Sequence, residues 1–237
     1  GLANCTKLTE LNLCRSTFAS LPVGLDKLLG MTRLDLSSCD ALENVDGLTN
    51  CTKLDELLLE DCNSLQNVDG LINCTKLIYL DLRNCNSLQN VDRLTNCTKL
   101  TYLKLGRCKS LQNLDGLANC TQLTELLLAD CAALQNVNGL ANLTELTELS
   151  LVGCSSLSAG LDSIPNLRSL DLSQCKSLQN VDGLANLTKL YKLSLVGCTS
   201  LQNVDGLVNL TELTNLDLSE CKQVRSKPRS VKMTTPK

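Results

Sequence analysis

The chain has 237 residues, 15 cysteines, three tyrosines, one phenylalanine and no histidine, and its formal net charge is −3. No stretch is apolar and long enough for a signal peptide or a membrane-spanning helix. The acidic balance argues against general nucleic-acid binding, which needs cationic surface to displace counterions. The absence of histidine removes the commonest general base and metal ligand.

One apolar phrase closed by a cysteine recurs along the chain, with the form L-x-x-L-x-L-x-x-C. Clear copies are LDELLLEDC at 54–62, LIYLDLRNC at 77–85 and LTYLKLGRC at 100–108. Its closing residues are spaced by 23 positions except for one step of 21, and they are Ser16, Cys39, Cys62, Cys85, Cys108, Cys131, Cys154, Cys175, Cys198 and Cys221. A fixed period of this length is typical of a solenoid.

Each repeat is predicted to contain a short strand followed by a tight turn. In 54–62, Leu57 and Leu59 alternate with polar or outward residues, the period of two that sends neighbours to opposite faces of a sheet. The following segment, 64–74, carries an apolar residue at every third position from Leu65 onward. That spacing favours 3₁₀ or irregular structure on the outer side, with little regular α-helix.

This pattern resembles leucine-rich repeat proteins over residues 2 to about 221. The second half of each repeat, as in NVDGLANLTKLYKLSL at 180–195, is similar to the short-repeat class of internalins and Sds22. Those families usually place Asn where this chain has Cys, and cysteine with one extra residue resembles repeats of protist and plant proteins. The resemblance implies an α/β solenoid, a horseshoe or arc of about ten repeats with a concave parallel sheet and short 3₁₀ or irregular outer turns.

The sequence divides into a repeat domain, 1–221, and a basic tail, 222–237, that is predicted to be disordered. From Cys221 onward there are six basic and no acidic residues, which leaves 16 basic against 25 acidic residues and a net charge of −9 for the rest. We expect the tail to be able to contact an anionic partner. The chain opens inside a repeat without methionine, and neither end shows a polar cap, which predicts a fragment of a longer protein and leaves an upstream signal peptide open.

The cysteines are predicted to be structural thiols. Nine occupy the closing position, and the residues of a second core position are Cys5, Cys51, Cys74, Cys97 and Cys120, replaced in later repeats by Leu143, Leu187 and Leu210. Leucine in place of cysteine indicates packing. Their gaps alternate between 11 and 12 and lack the C-x-x-C spacing of zinc sites, so we predict no metal and no cofactor.

Many buried, reduced thiols predict a reducing, intracellular (cytoplasmic) location. The alternative, a secreted or cell-surface protein, is suggested by eight Asn-x-Thr sequons. They occupy one repeat position, at Asn4, Asn50, Asn73, Asn96, Asn119, Asn142, Asn186 and Asn209. The turn chemistry of Asn and Thr explains a repeated position more simply.

The sequence predicts no enzyme. Asp-Gly pairs such as Asp69-Gly70 recur at turn positions, where Asp suits a cap and Gly a tight bend. Cys14 lies outside both cysteine ladders and is expected to be exposed. Without a histidine to activate it, we expect it to be inert rather than a nucleophile.

Function is therefore predicted from the outward strand residues. Two of the few aromatic residues, Tyr79 and Tyr102, fall side by side on this face, next to basic residues of the kind enriched in binding hot spots. The candidate partner-binding residues are Tyr79, Asp81, Arg83, Tyr102, Lys104, Arg107, Glu56 and Leu58. The first six are expected to form one continuous patch, with acidic residues at its rim.

The predicted function is a non-catalytic scaffold that binds a protein partner on its concave face. The alternatives are a regulatory or substrate-recruiting subunit of an enzyme complex, a secreted or surface adhesin-like receptor, and a thiol enzyme acting through Cys14. The single 21-residue step lies between Cys154 and Cys175, where two residues of the connector are missing. We expect the outer geometry to change there while the stack of strands continues.

Overall fold

The computed structural model describes residues 2–158, 160–164 and 166–224. Within them, short strands form one open sheet in which every strand is parallel to its neighbours and the spatial order follows the chain. The ten strands are β1 Glu10–Asn12, β2 Arg33–Asp35, β3 Glu56–Leu58, β4 Tyr79–Asp81, β5 Tyr102–Lys104, β6 Glu125–Leu127, β7 Glu148–Ser150, β8 Ser169–Asp171, β9 Lys192–Ser194 and β10 Asn215–Asp217.

Each strand alternates with a 3₁₀ turn on the outer side. The ten turns are Leu2–Asn4, Leu25–Lys27, Asp46–Leu48, Asp69–Leu71, Asp92–Asn96, Asp115–Leu117, Asn138–Leu140, Leu161–Ser163, Asp182–Leu184 and Asp205–Leu207. The period of three in the sequence accounts for them, because one residue of each turn faces the interior. The solenoid prediction is confirmed, including the concave parallel sheet and the outer side of short turns.

The 23-residue repeat sets the register of the sheet. Leu57 of β3 lies opposite Leu80 of β4, and Leu80 lies opposite Leu103 of β5. All three side chains are fully buried, while the residues directly before and after them in each strand face the concave side. Stacked leucines therefore form a continuous interior, as expected when neighbouring repeats bury what one repeat cannot.

Two ladders of cysteine complete the interior. In the closing ladder the thiol donates to a carbonyl oxygen of the preceding repeat, as from Cys62 Sγ to Leu36 O at 3.2 Å and from Cys108 Sγ to Leu82 O at 3.1 Å. In the second ladder the contact is longer, 3.8 Å from Cys74 Sγ to Leu48 O. This weaker bond explains why leucine is accepted at the second position. All fifteen cysteines are free thiols.

The sequence prediction was wrong at the ends of these ladders. Cys5 is exposed rather than part of the core, and Cys221 is only partly buried. Cys5 lies in the first repeat, which packs against a single described neighbour, so one side of its ladder position is open. Cys14 is exposed, as predicted.

The Asp69-Gly70 pair serves a different purpose from the predicted one. Before Asp69, the side-chain oxygen of Asn67 accepts the Asp69 N–H at 3.1 Å, so the cap comes from the asparagine. Gly70 does not have a left-handed backbone. A Cβ at Gly70 would collide with the carbonyl oxygen of Val45 in the preceding repeat. Close stacking on the preceding repeat, and not a tight bend, therefore requires glycine at residue 70, whereas the equivalent position of the fifth repeat holds Arg93.

The short step changes the outer side and leaves the sheet intact, as predicted. The turn Leu161–Ser163 follows Gly160, which has a left-handed backbone (φ 87°), and it ends at the extended Ile164. Strands β7 and β8 still pair over their whole length, with Glu148 opposite Ser169. Most of the predicted basic tail, 225–237, lies outside the described residues, and the expected anionic contact of the tail remains a prediction.

Candidate partner-binding site

The tyrosines of β4 and β5 form an aromatic pair in the middle of the concave face. Tyr79 lies opposite Tyr102 in the sheet register, and the ring centroids are 6.3 Å apart with an interplanar angle of 36°. Tyr102 is 40 % exposed and Tyr79 is partly buried. The ammonium of Lys104 lies 5.1 Å from the Tyr79 ring centroid, within the range of a cation–π contact. The sequence predicted these three residues in one larger patch, and in the structure they lie together, while the binding of a partner there stays a prediction.

Arg83 is held rigidly at the next outward position. Its Nε lies 2.9 Å from Asp81 Oδ1, and its Nη2 lies 2.7 Å from Asp81 Oδ2 and 2.9 Å from Glu60 Oε2. Such a bidentate pair fixes the plane of the guanidinium. Hydrogen bonding to Asp81 is the main cause that raises the pKa of Arg83.

Asp81 corrects a prediction, because it was expected on the displayed surface and is covered instead. It is 3 % exposed and is the one charged side chain buried among the described residues. The guanidinium of Arg83 covers its carboxylate, which also accepts the Arg83 backbone N–H at 3.1 Å. Asp81 therefore positions Arg83 and offers no surface of its own to a partner.

Glu56 and Leu58 lie on β3, beside the aromatic pair. Glu56 is opposite Tyr79 in the register and pairs with Arg33, with 3.2 Å between Oε1 and Nη2. Leu58 is partly buried opposite Asp81. An apolar residue missed by the sequence reasoning, Ile78, is exposed directly before Tyr79 and enlarges the apolar surface. The sequence could have indicated this exposed apolar residue, since the equivalent position is polar in most other repeats.

Arg107 belongs to a different row of residues. It has a left-handed backbone (φ 64°), as do the residues before the closing position in the other repeats, among them Asp61, Asn84 and Asp130. Its Nε lies 3.7 Å from Asp130 Oδ2. The predicted continuous patch thus consists of Tyr79, Tyr102, Lys104 and Arg83, while Arg107 lies at its edge.

A hollow of about 430 Å³ separates Arg83 from Arg107. It exists because the third outward residue is small in two consecutive repeats, Gly106 and Ala129. Leu127, which is 37 % exposed, also lines it. The sequence reasoning missed this feature, although two small residues at consecutive equivalent positions would have indicated it.

Family comparisons agree with the repeat architecture. Residues 35–159, more than half of the chain, match the model for BspA-type leucine-rich repeat regions, and residues 158–233 match the model for Zer-1-like leucine-rich repeats. The chain belongs to the leucine-rich repeat family. No curated protein sequence matches this leucine-rich repeat protein significantly.

Solved structures of leucine-rich repeat proteins are similar to it. An internalin (inlF) from Listeria monocytogenes has a TM-score of 0.60 at 23 % identity, with 92 % of this chain and 76 % of that chain covered. The mouse RP105/MD-1 complex has a TM-score of 0.64 at 24 % identity, with coverage of 92 % and 39 %. The leucine-rich repeat domain of the type III effector XopL has a TM-score of 0.64 at 19 % identity, with coverage of 99 % and 79 %. At these identities the likeness shows the fold.

In residues 2–158, 160–164 and 166–224, no three or more Cys, Asp or Glu side chains are grouped so that they could hold a metal ion. In the same part of the chain, no helix has the length and hydropathy needed to cross a bilayer.

Proposed function

We propose that this leucine-rich repeat protein is a non-catalytic interaction scaffold that holds a protein partner on its concave sheet. The observation that carries the proposal is the aromatic pair of Tyr79, which is partly buried, and Tyr102, which is exposed, with Lys104 in cation–π range of the Tyr79 ring. A repeat fold displays this face without needing it for packing, since the leucines beneath the sheet supply the interior.

The aromatic pair suits the centre of an interface. A tyrosine offers a large contact area with only two side-chain torsions to fix, and tyrosine and arginine are enriched among residues that dominate binding energy. The cation–π contact of Lys104 and the bidentate pair of Arg83 reduce the freedom that binding must remove. Fold neighbours include the mouse RP105/MD-1 complex, in which the similar chain is part of an assembly.

We also propose that the partner presents basic residues around an apolar centre. Glu56 and Glu125 flank the aromatic pair in the sheet register, and Glu148 follows on β7. Complementary charge at the rim of an interface mainly raises the association rate and excludes wrong partners. Within this proposal the protein works in a reducing compartment, which is supported by fifteen free thiols, most of them buried.

The test compares three tyrosine variants in quantitative affinity capture from cells of the source organism. Tyr79→Ala and Tyr102→Ala are expected to weaken partner binding by about 2 kcal/mol or more, the range of a hot-spot residue. Tyr191→Ala is the matched control, because Tyr191 is also exposed, at 42 %, but lies before β9. It is expected to capture the partner as the wild type does.

Thermal unfolding of the same variants separates binding from folding. Each change is expected to leave the melting temperature nearly unchanged, because surface substitutions away from packed features usually have small effects. Normal capture by both Tyr79→Ala and Tyr102→Ala would place the interface elsewhere. Unfolding of either variant would make the pair a structural feature.

A further inference from the structure

A side-chain oxygen closes the end of the strand in half of the repeats. The middle outward residue is then Asp or Asn, and its Oδ1 accepts the backbone N–H two residues later. The five pairs are Asn12 with Cys14 at 2.9 Å, Asp35 with Ser37 at 2.9 Å, Asp81 with Arg83 at 3.1 Å, Asp171 with Ser173 at 2.9 Å and Asp217 with Ser219 at 2.9 Å. These carboxylates and amides lie on the concave side, so the N–H groups open toward that side.

Three consecutive repeats lack this acceptor. Their middle outward residues are Lys104, Leu127 and Ser150, of which lysine and leucine have no oxygen to offer. Among the described residues, the backbone N–H groups of the third outward residues, Gly106, Ala129 and Val152, have no hydrogen-bond acceptor. Adjacent strands are about 4.8 Å apart, so the three donors form a row just beyond the ends of β5, β6 and β7.

The hollow between Arg83 and Arg107 lies over the first two of these donors, since Gly106 and Ala129 both line it. The side chains of Arg83 and Arg107 border it and are 38 % and 67 % exposed. The nearby carboxylates of Glu60 and Asp130 are each paired with one of these arginines, at 2.9 Å and 3.7 Å. The hollow therefore combines unused backbone donors, two arginines and the apolar side chain of Leu127, although Arg83 is also paired with Asp81 at 2.7 Å.

We propose that this hollow binds the carboxylate of an aspartate or glutamate side chain of the partner protein. The carboxylate takes the place that Asp81 or Asp171 occupies in its own repeat and accepts the N–H groups of Gly106 and Ala129. Hydrogen bonds from backbone N–H groups to an ionised acceptor are stronger than neutral ones. This inference rests on the proposed use of the concave face, and it adds one acidic anchor to a partner whose rim is basic.

The experiment follows amide signals of the ¹⁵N-labelled protein during titration with sodium acetate, with sodium chloride keeping the ionic strength constant. The chemical shifts of the Gly106 and Ala129 amide protons are expected to move downfield. The change is expected to level off as the acetate concentration rises. The Ser173 amide is the internal control, because its N–H already donates to Asp171 Oδ1 at 2.9 Å. An equal response at Ser173, or none at Gly106 and Ala129, would overturn the inference without any variant.

A pair of variants at one position then tests the role of the free N–H. Leu127→Asn supplies an acceptor for Ala129, as Asn12 does for Cys14, and leaves the charge unchanged. It is expected to weaken acetate binding by about tenfold or more, the usual worth of one hydrogen bond to a charged group. Leu127→Met is the matched control and is expected to bind acetate as the wild type does. Equal weakening in both variants would contradict the proposal.

The titration needs no partner, so its result is independent of the tyrosine experiment. Suppose that Tyr102→Ala abolishes capture of the partner, while acetate leaves the amide signal of Gly106 unchanged. The proposed carboxylate site is then rejected, and the proposed interaction surface is retained. If acetate binds and both tyrosine variants capture the partner normally, the carboxylate site is retained and the proposed interaction surface at the tyrosines is rejected.

Discussion

The first and sixth repeats begin with almost the same sequence and differ in their burial. Residues 1–11 read GLANCTKLTEL and residues 116–126 read GLANCTQLTEL, so ten of eleven positions are identical. Cys5 is exposed, whereas Cys120 is completely buried. The same residues thus belong to the core in one place and to the surface in another.

The leucines of the two segments show the same contrast. Leu8 and Leu11 are only partly buried, whereas their counterparts Leu123 and Leu126 are 0 % and 2 % exposed. Local propensity cannot explain the difference, because the local sequence is the same. Within the described residues the sixth repeat packs between two neighbours and the first against one, so burial in this fold is a property of the stack.

The sharpest test of this contrast is thiol labelling, which has the largest expected effect. A thiol reagent is expected to modify Cys5 and Cys14 quickly in the native protein, while Cys120 reacts only when the stack opens. Opening of a buried element costs several kcal/mol, so the rates are expected to differ by more than about a thousandfold. Peptide mass spectrometry after timed labelling measures both rates. Comparable rates at Cys5 and Cys120 would show that the sixth repeat is not closed.

A second, smaller difference is expected in the free energy of unfolding of alanine variants. Leu126→Ala is expected to cost about 3 kcal/mol, because a cavity remains between two repeats. Leu11→Ala removes the same atoms from a half-exposed position and is expected to cost about 1 kcal/mol or less. Urea denaturation of the two variants under identical conditions gives the comparison. Equal losses would mean that the first repeat is as well packed as the sixth.

The contrast also shows what the sequence allowed us to predict. The positions of the strands and turns could be predicted from apolar periods of two and three, and the closing cysteines from their fixed spacing. These features could be predicted because they depend only on the residues within one repeat. The exposure of Cys5 depends on the number of neighbours, which its local sequence does not encode. The burial of Asp81 depends on Arg83 two residues later, whose guanidinium is also held by Glu60 of the preceding repeat, a contact between repeats.

The same reasoning separates the predicted and the missed parts of the candidate site. The Tyr79–Tyr102 pair could be predicted, because equivalent positions in consecutive repeats become neighbours in a parallel sheet. From the sequence, Arg107 was placed too close to the tyrosines. Arg107 follows the last outward residue of its repeat, Gly106, and its left-handed backbone puts it in a different row of side chains. Gly106 and Ala129 carry no polar side-chain group that a sequence pattern could indicate, and their contribution comes from the backbone.

The smallest expected effect concerns the response of stability to alkaline pH. Burial raises the pKa of Cys120 to about 11. In the unfolded chain a thiol ionises near its ordinary pKa of about 8.5, so between these values the unfolded state loses a proton that the folded state retains. The stability is therefore fully present below about pH 8.5 and declines as the pH rises toward 11. Replacing one such thiol by an apolar residue is expected to make this decline shallower.

Cys120→Leu is the natural choice, because Leu143, Leu187 and Leu210 already fill this position in later repeats. At neutral pH the variant is expected to remain within about 1.5 kcal/mol of the wild type, as for other volume-tolerant core changes. Urea denaturation at roughly pH 8 and pH 10.5 measures the slope. Cys5→Leu is the control and is expected to keep the wild-type slope, because its side chain is exposed in the folded state as well. Identical slopes for all three proteins would show that the buried ladder does not govern the alkaline response.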